Sequence, residues 1–183
     1  MNHSGTKTLE TDSLVLRRFA VDDAQAMYEN WASDEKVTEF LSWKLHSDSQ
    51  ETVKFLEDWI PHYSEKNYYN WAIVLKENGD KPIGNIWVGS IREKAALAEV
   101  GYCVGRNFWH RGIASEALKA VMDFLFDEVG VNRIGAYHDA KNPHSGGVMK
   151  KCGMKYEGTL RASEWNNLGI CDACWYSILK SER

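Results

Sequence analysis

The chain has 183 residues, 44% hydrophobic and 26% charged, with a formal net charge of −4. That length fits one compact domain with a sizeable core, and the balance excludes a disordered chain. A slightly acidic surface with no basic stripe argues against a nucleic-acid reader, and no apolar run approaches the roughly 18 residues that span a bilayer.

The polar segment Met1–Asp12 carries no signal-peptide core and reads as a loosely ordered tail, which makes the cytoplasm the expected location. A strand is predicted over Ser13–Phe19, where Leu14 and Leu16 alternate with Val15 and Arg17. Val21-Asp22-Asp23 opens a helix to about Trp31, with acidic residues in its first turn. A second helix runs from Ser49 to Tyr63, with Pro61 marking a kink or stop. Strands follow at Tyr69–Leu75, Pro82–Ile91 and Leu97–Val104, the first two joined through Asn78-Gly79-Asp80.

From Gly112 to Glu128 the residues Ala114, Ala117, Leu118, Val121, Met122, Leu125 and Phe126 form one apolar stripe of a long helix. A strand at Arg133–His138, a helix at His144–Cys152 and strands at Lys155–Glu164 and Ile170–Leu179 complete the chain. With no repeat or linker, this order defines a single α/β (α+β) domain over residues 1–183, built on a mixed sheet. Cys171-x-x-Cys174 lacks a second ligand pair, so the four cysteines read as free thiols and no metal site is expected.

The start of the long helix is its most informative feature. The first amides of a helix have no partner within it, and Ser, Thr, Asp or Asn normally caps them. Here Phe108, Trp109, His110 and Arg111 precede Gly112, none of them a capping type, and Arg111 adds positive charge at the positive end of the helix dipole. A phosphate or pyrophosphate at that terminus removes both defects, and the small Gly112 and Ala114 allow it close approach. The competing reading is an ordinary helix start with glycine as cap and solvent on the amides. Neither a Walker loop nor a Rossmann fingerprint is present.

The segments "LETDSLVLRRFAVDDAQAMYENW", "KPIGNIWV", "AEVGYCVGRNFWHRGIASEAL" and "NPHSGGVMKKCGMKYEG" follow one another in the order of the GNAT superfamily of acetyltransferases. Nearly the whole chain resembles that family, specifically its ribosomal-protein-alanine acetyltransferase branch. The resemblance implies a largely antiparallel sheet of about seven strands flanked by helices. It implies acetyl-CoA as co-substrate, a primary amine as acceptor, no membrane or nucleic-acid partner, and a possible homodimer. It also implies that the loop and helix start Trp109, His110, Arg111, Gly112, Ile113, Ala114 and Ser115 bind the CoA pyrophosphate.

Chemistry sharpens these expectations. Attack on a thioester needs a neutral amine, and an α-amine (reference pKa about 7.7–8.0) is closer to neutral than a lysine (about 10.4). Glu99 stands in the otherwise apolar strand Leu97–Val104, where burial would favour a proton acceptor. It resembles the general-base glutamate of many family members; the plainer reading is a carboxylate facing solvent or paired with a nearby Lys or Arg. The resemblance further places amides near Cys103 and Val104 at the acetyl carbonyl, in a strand splayed by a bulge. No histidine partner supports Cys103 as an acyl carrier, which favours direct attack.

The tyrosine that many members use as acid falls at Met149, so Ser145 takes that role by resemblance or else serves only at the helix start. Asn142 would then bond the pantetheine or a water. Trp43 and Trp59 are candidate walls of the amine site. Three functions remain open from the sequence: acetylation of a protein N-terminus, acetylation of a small amine, and a non-catalytic acyl-CoA-binding module.

Overall fold

A computed structural model describes residues 1–183. Eight strands form one sheet in the order β1-β2-β3-β4-β5-β6-β8-β7: β1 Leu9–Glu10, β2 Leu14–Arg17, β3 Asn70–Leu75, β4 Pro82–Arg92, β5 Leu97–Val104, β6 Arg133–Asp139, β7 Lys155–Asn166 and β8 Gly169–Leu179. Every neighbouring pair is antiparallel except β5 and β6. The expected count of about seven omitted only the two-residue β1. Parallel neighbours need a crossover, and α4 (Ile113–Phe124) supplies it. The other helices are α1 (Ala24–Met27), α2 (Glu35–Thr38), α3 (Ser49–Trp59) and α5 (Pro143–Lys151).

The predicted first helix is split into a 3-10 turn at Val21–Asp23, α1, and a π-helical turn at Tyr28–Ala32. The second gives way to a 3-10 turn at Ile60–Ser64, with Pro61 in its first turn. No helix is long and apolar enough to cross a membrane.

The two faces of the sheet differ. On one, the stripe of α4 packs Ala117, Leu118, Val121 and Met122 against Leu16, Ile73, Ile86, Ala98, Val100 and Ile134. Each such large side chain, once buried, contributes about 1.5–3 kcal/mol. α5 joins this face through Met149 and Cys152. On the other face, α1 to α3 and their turns bury Met27, Trp31 and Leu56 against Ala72 and Cys103. Exposed large apolar residues gather on the β7–β8 hairpin, at Leu160, Trp165, Leu168 and Ile170.

The expected loose tail is instead held against the domain. The Asn2 amide donates to the Val129 carbonyl at 2.7 Å and the Gly5 amide to that of Lys66 at 2.7 Å. Thr6 is 1% exposed; its hydroxyl donates to the Tyr68 carbonyl (3.0 Å) and accepts from the Asn70 amide (3.1 Å). These partners lie far along the chain, which is why a polar N-terminal sequence gives no local sign of them. Glu116, in the first turn of α4, accepts from the Thr11 hydroxyl and from the amide and hydroxyl of Ser13. Burial pushes that carboxyl up, but these hydrogen bonds outweigh it and hold it below its ordinary range.

Candidate active site

Two features define the site: a run of free amides and a gap in the sheet. Before α4, the chain takes left-handed turns at His110 (φ 61°) and Gly112 (φ 82°). No side chain caps the helix. Trp109 and Glu116 donate their amides to Arg106 and Gly112 carbonyls, but the amides from His110 to Ser115 find no acceptor in the chain. The helix begins where the sequence places it, and its donors are bare.

Side chains around this cup explain how the loop is held. The Trp109 indole donates to the Val104 carbonyl at 2.7 Å, pinning the loop to the end of β5. Arg111, expected to load positive charge onto the helix start, turns away to Glu77 at 2.7 Å. Lys151, from the last turn of α5, brings its Nζ within 3.8 Å of where a Cβ on Gly112 would sit. The rings of His110 and His144 meet edge-to-face at 5.7 Å. Ser115 is buried, and its carbonyl accepts from the Cys152 thiol. Bare amides, a lysine ammonium and small residues suit a phosphate diester, so the donor set fits the CoA pyrophosphate. Lys151 escaped the sequence reading because only the packing of α5 on α4 brings it to Gly112.

The gap lies between β5 and β6. Their pairing runs from Leu97↔Arg133 to Glu99↔Gly135 and stops, although β5 continues to Val104 and β6 to Asp139. Against β4, the Gly105 amide bonds the Ile83 carbonyl, and the alternation of an antiparallel ladder makes Cys103 and Asn85 the next bonded pair. The Cys103 amide is therefore engaged with β4. Those of Tyr102 and Val104 turn toward the gap. Of the two amides expected there, Val104 fits and Cys103 does not. The only register shift in the β4–β5 pairing falls at Val88/Ser90, so the bulge is in β4, not β5.

Side chains of β5 alternate across the sheet. Ala98, Val100, Tyr102 and Val104 face α4 and α5, while Cys103 packs among the α1–α3 residues, so Glu99 and Gly101 share its face. Burial pushes the Cys103 thiol up to about 12, and its Sγ donates to Asn85 Oδ1 at 2.8 Å. Such a thiol is a poor nucleophile, as expected from the missing histidine.

Glu99 lines an open cavity of about 250 Å³ with Arg92, Arg133, Gly135, Glu157 and Trp175. Its carboxylate pairs with Arg92 at 2.7 Å, and the two side chains are 21% and 63% exposed. The paired reading thus holds, and it keeps the carboxylate at the cavity wall. Trp87, which the sequence left unremarked, covers Gly101; a Cβ there would stand 2.5 Å from the indole.

Ser145 lies on the other side of the gap, on α5. Its carbonyl and hydroxyl both contact the Tyr102 hydroxyl, at 2.8 and 3.0 Å. The structure does not bring Glu99 and Ser145 together on one face; it sets them on opposite faces of β5. Asn142 is the residue before α5, with its side chain free of any capping bond. Met149 is 1% exposed, built into the core. Trp43 and Trp59 pack on Phe55 with tilted rings, at ring distances of 5.8 and 4.5 Å. Asn167, at the tip of the β7–β8 hairpin, ties that cluster's loop down by donating to the carbonyls of Thr38 and Trp43, both at 2.8 Å.

The splayed parallel pair beside a bare helix start agrees with what the resemblance implies for a CoA site. Residues 13–155 match the acetyltransferase (GNAT) domain family, and the chain belongs to it. It is an acetyl-CoA-dependent N-acetyltransferase. The uncharacterized N-acetyltransferase YoaA of Bacillus subtilis is 31% identical over 172 residues, covering 94% of this chain and 96% of the relative. The ribosomal-protein-serine acetyltransferase of Escherichia coli is 24% identical over 94% of this chain and 96% of its own. The fold matches the microcin C7 self-immunity acetyltransferase MccE, solved with acetyl-CoA and AMP, at a TM-score of 0.81 and 22% identity over 92% of this chain and 93% of that one.

Proposed function

We propose that the chain acetylates a protein N-terminal α-amine of the ribosomal-protein type, by direct attack within a complex of both substrates. The observation that carries this reading is Glu99, held at the wall of an open cavity beside the end of the β5–β6 pairing. An incoming α-amine there needs to lose only a proton of modest pKa, to Glu99 or through one water. The amides of His110 to Ser115, with Lys151, hold the pyrophosphate, and Asn142 bonds the pantetheine.

The amide of Val104 polarises the acetyl carbonyl as the amine nitrogen attacks its carbon. The C–S bond then breaks, with the Ser145 hydroxyl donating to the departing sulfur. A relative acting on ribosomal proteins and an apolar hairpin beside the cavity support a polypeptide acceptor. The pairing of two arginines with two glutamates around the same cavity favours a second reading, a small zwitterionic amine. The membership in a family of acetyltransferases leaves no support for a non-catalytic module.

Thiol release from acetyl-CoA separates the two acceptors. Peptides with free Ser, Ala, Thr or Met N-termini are expected to turn over at higher kcat/KM than amino acids or polyamines. N-terminally blocked, lysine-containing peptides are expected to be inert. A polyamine or amino acid that outpaces every peptide overturns the polypeptide reading.

A further inference from the structure

Tyr102 has no part in the chemistry above, yet it stands at the gap and touches the residue proposed to assist the leaving group. Its ring is largely buried beside α5, and its hydroxyl lies 2.8 Å from the Ser145 carbonyl and 3.0 Å from Ser145 Oγ. Counting protons shows what this geometry allows. A phenol has one proton to give and a carbonyl has none, so the 2.8 Å contact is Tyr102 donating to Ser145 O. The 3.0 Å contact is then Ser145 donating to the phenol oxygen, which directs the serine proton away from the gap.

A second arrangement uses the same atoms. If the phenol proton swings to Ser145 Oγ, the serine proton is released to point elsewhere. We propose that Tyr102 is a positioning residue that alternates Ser145 between a parked hydroxyl and one donating to the thioester sulfur. Burial pushes the phenol well above its usual range, so Tyr102 stays protonated and keeps its donor throughout. No proton leaves either residue for good. The amine's proton goes to Glu99, the sulfur departs as a thiolate under a hydrogen bond from Ser145, and solvent protonates it afterwards. This inference rests on the role given to Ser145 above.

The test is a double-mutant cycle of Y102F and S145A, read with saturating peptide. S145A is expected to lower kcat about tenfold or more, the range of a hydrogen bond to a charged group. Y102F is expected to lower kcat several-fold to tenfold with KM for acetyl-CoA within about twofold, and the double variant to be no slower than S145A alone. Additive losses, or a Y102F loss accompanied by weakened CoA binding, mark a purely structural tyrosine and overturn the proposal. Wild-type rates in Y102F with an impaired S145A also overturn it and leave the serine's role intact. An S145A variant at wild-type rate removes the serine's role itself. Should Y102F fail to fold, 3-fluorotyrosine at position 102 keeps the ring and hydroxyl; a change in kcat beyond about twofold at constant KM is expected, and an unchanged kcat overturns the inference.

Discussion

Replacing Glu99 with glutamine is expected to lower kcat by about a hundredfold or more, while KM for acetyl-CoA stays within about twofold. Proton removal by a placed side chain contributes roughly 10²–10⁴ in rate, and glutamine keeps the shape while losing the acceptor. The CoA site is left alone because its donors lie in the His110–Ser115 loop, beyond the far end of β5 and away from the cavity wall. Arg92 complicates any simpler test: removing it frees Glu99 from its 2.7 Å partner but also opens the cavity rim. The glutamine variant avoids that, since its amide still accepts from Arg92. Steady-state rates with a reactive peptide check the result. A variant that keeps more than about half of wild-type kcat shows that another group, or water alone, takes the proton.

The second large effect is structural. Gly84→Ala is expected to destabilise the fold by about 3 kcal/mol, the upper range for overpacking. A Cβ at Gly84 would stand 2.3 Å from the Cys103 carbonyl oxygen and 2.9 Å from the Val104 Cα, both backbone atoms that cannot rotate away. The strands must part, and Val104, whose amide is aimed at the gap on the other edge of β5, shifts with that strand. For a chain of this size the loss corresponds to a Tm drop of roughly 6–12 °C. Activity is expected to fall further than the remaining folded fraction accounts for. Gly147→Ala is the control, because nothing lies within 4 Å of its Cβ position on α5 and alanine favours the helix. Thermal melts of both variants decide the point: equal Tm values would mean that β4 and β5 tolerate the methyl group.

Legibility in the sequence followed the range of the interactions. α4 was readable because its apolar stripe is local and periodic, and its start was readable because a missing cap is also local. The strands followed from alternation, apart from β1, which is too short to show any. Pairings that depend on tertiary packing were not readable. Lys151 reaches Gly112 only through the α4–α5 contact, and Tyr102 meets Ser145 only because α5 packs on α4 and β6, within reach of the Tyr102 hydroxyl. The sequence placed Glu99 on the right strand but could not show Arg92, which the β4–β5 hairpin brings beside it. The N-terminal segment misled for the same reason: its hydrogen bonds go to Tyr68, Asn70 and Val129. Cys103 illustrates a finer limit, since ladder parity sends its amide to β4 while that of Val104 turns to the gap.

The most direct test of the whole account is an amide NMR titration of the protein with CoA and, separately, with pantetheine, which has the thiol arm but no phosphates. The amides from His110 to Ser115 are expected to shift strongly on adding CoA and to stay near their free positions with pantetheine, while those of Tyr102 and Val104 respond to both. If CoA binds and leaves the helix-start amides unmoved, the linked phosphates sit elsewhere and the placement of the site at the start of α4 is wrong.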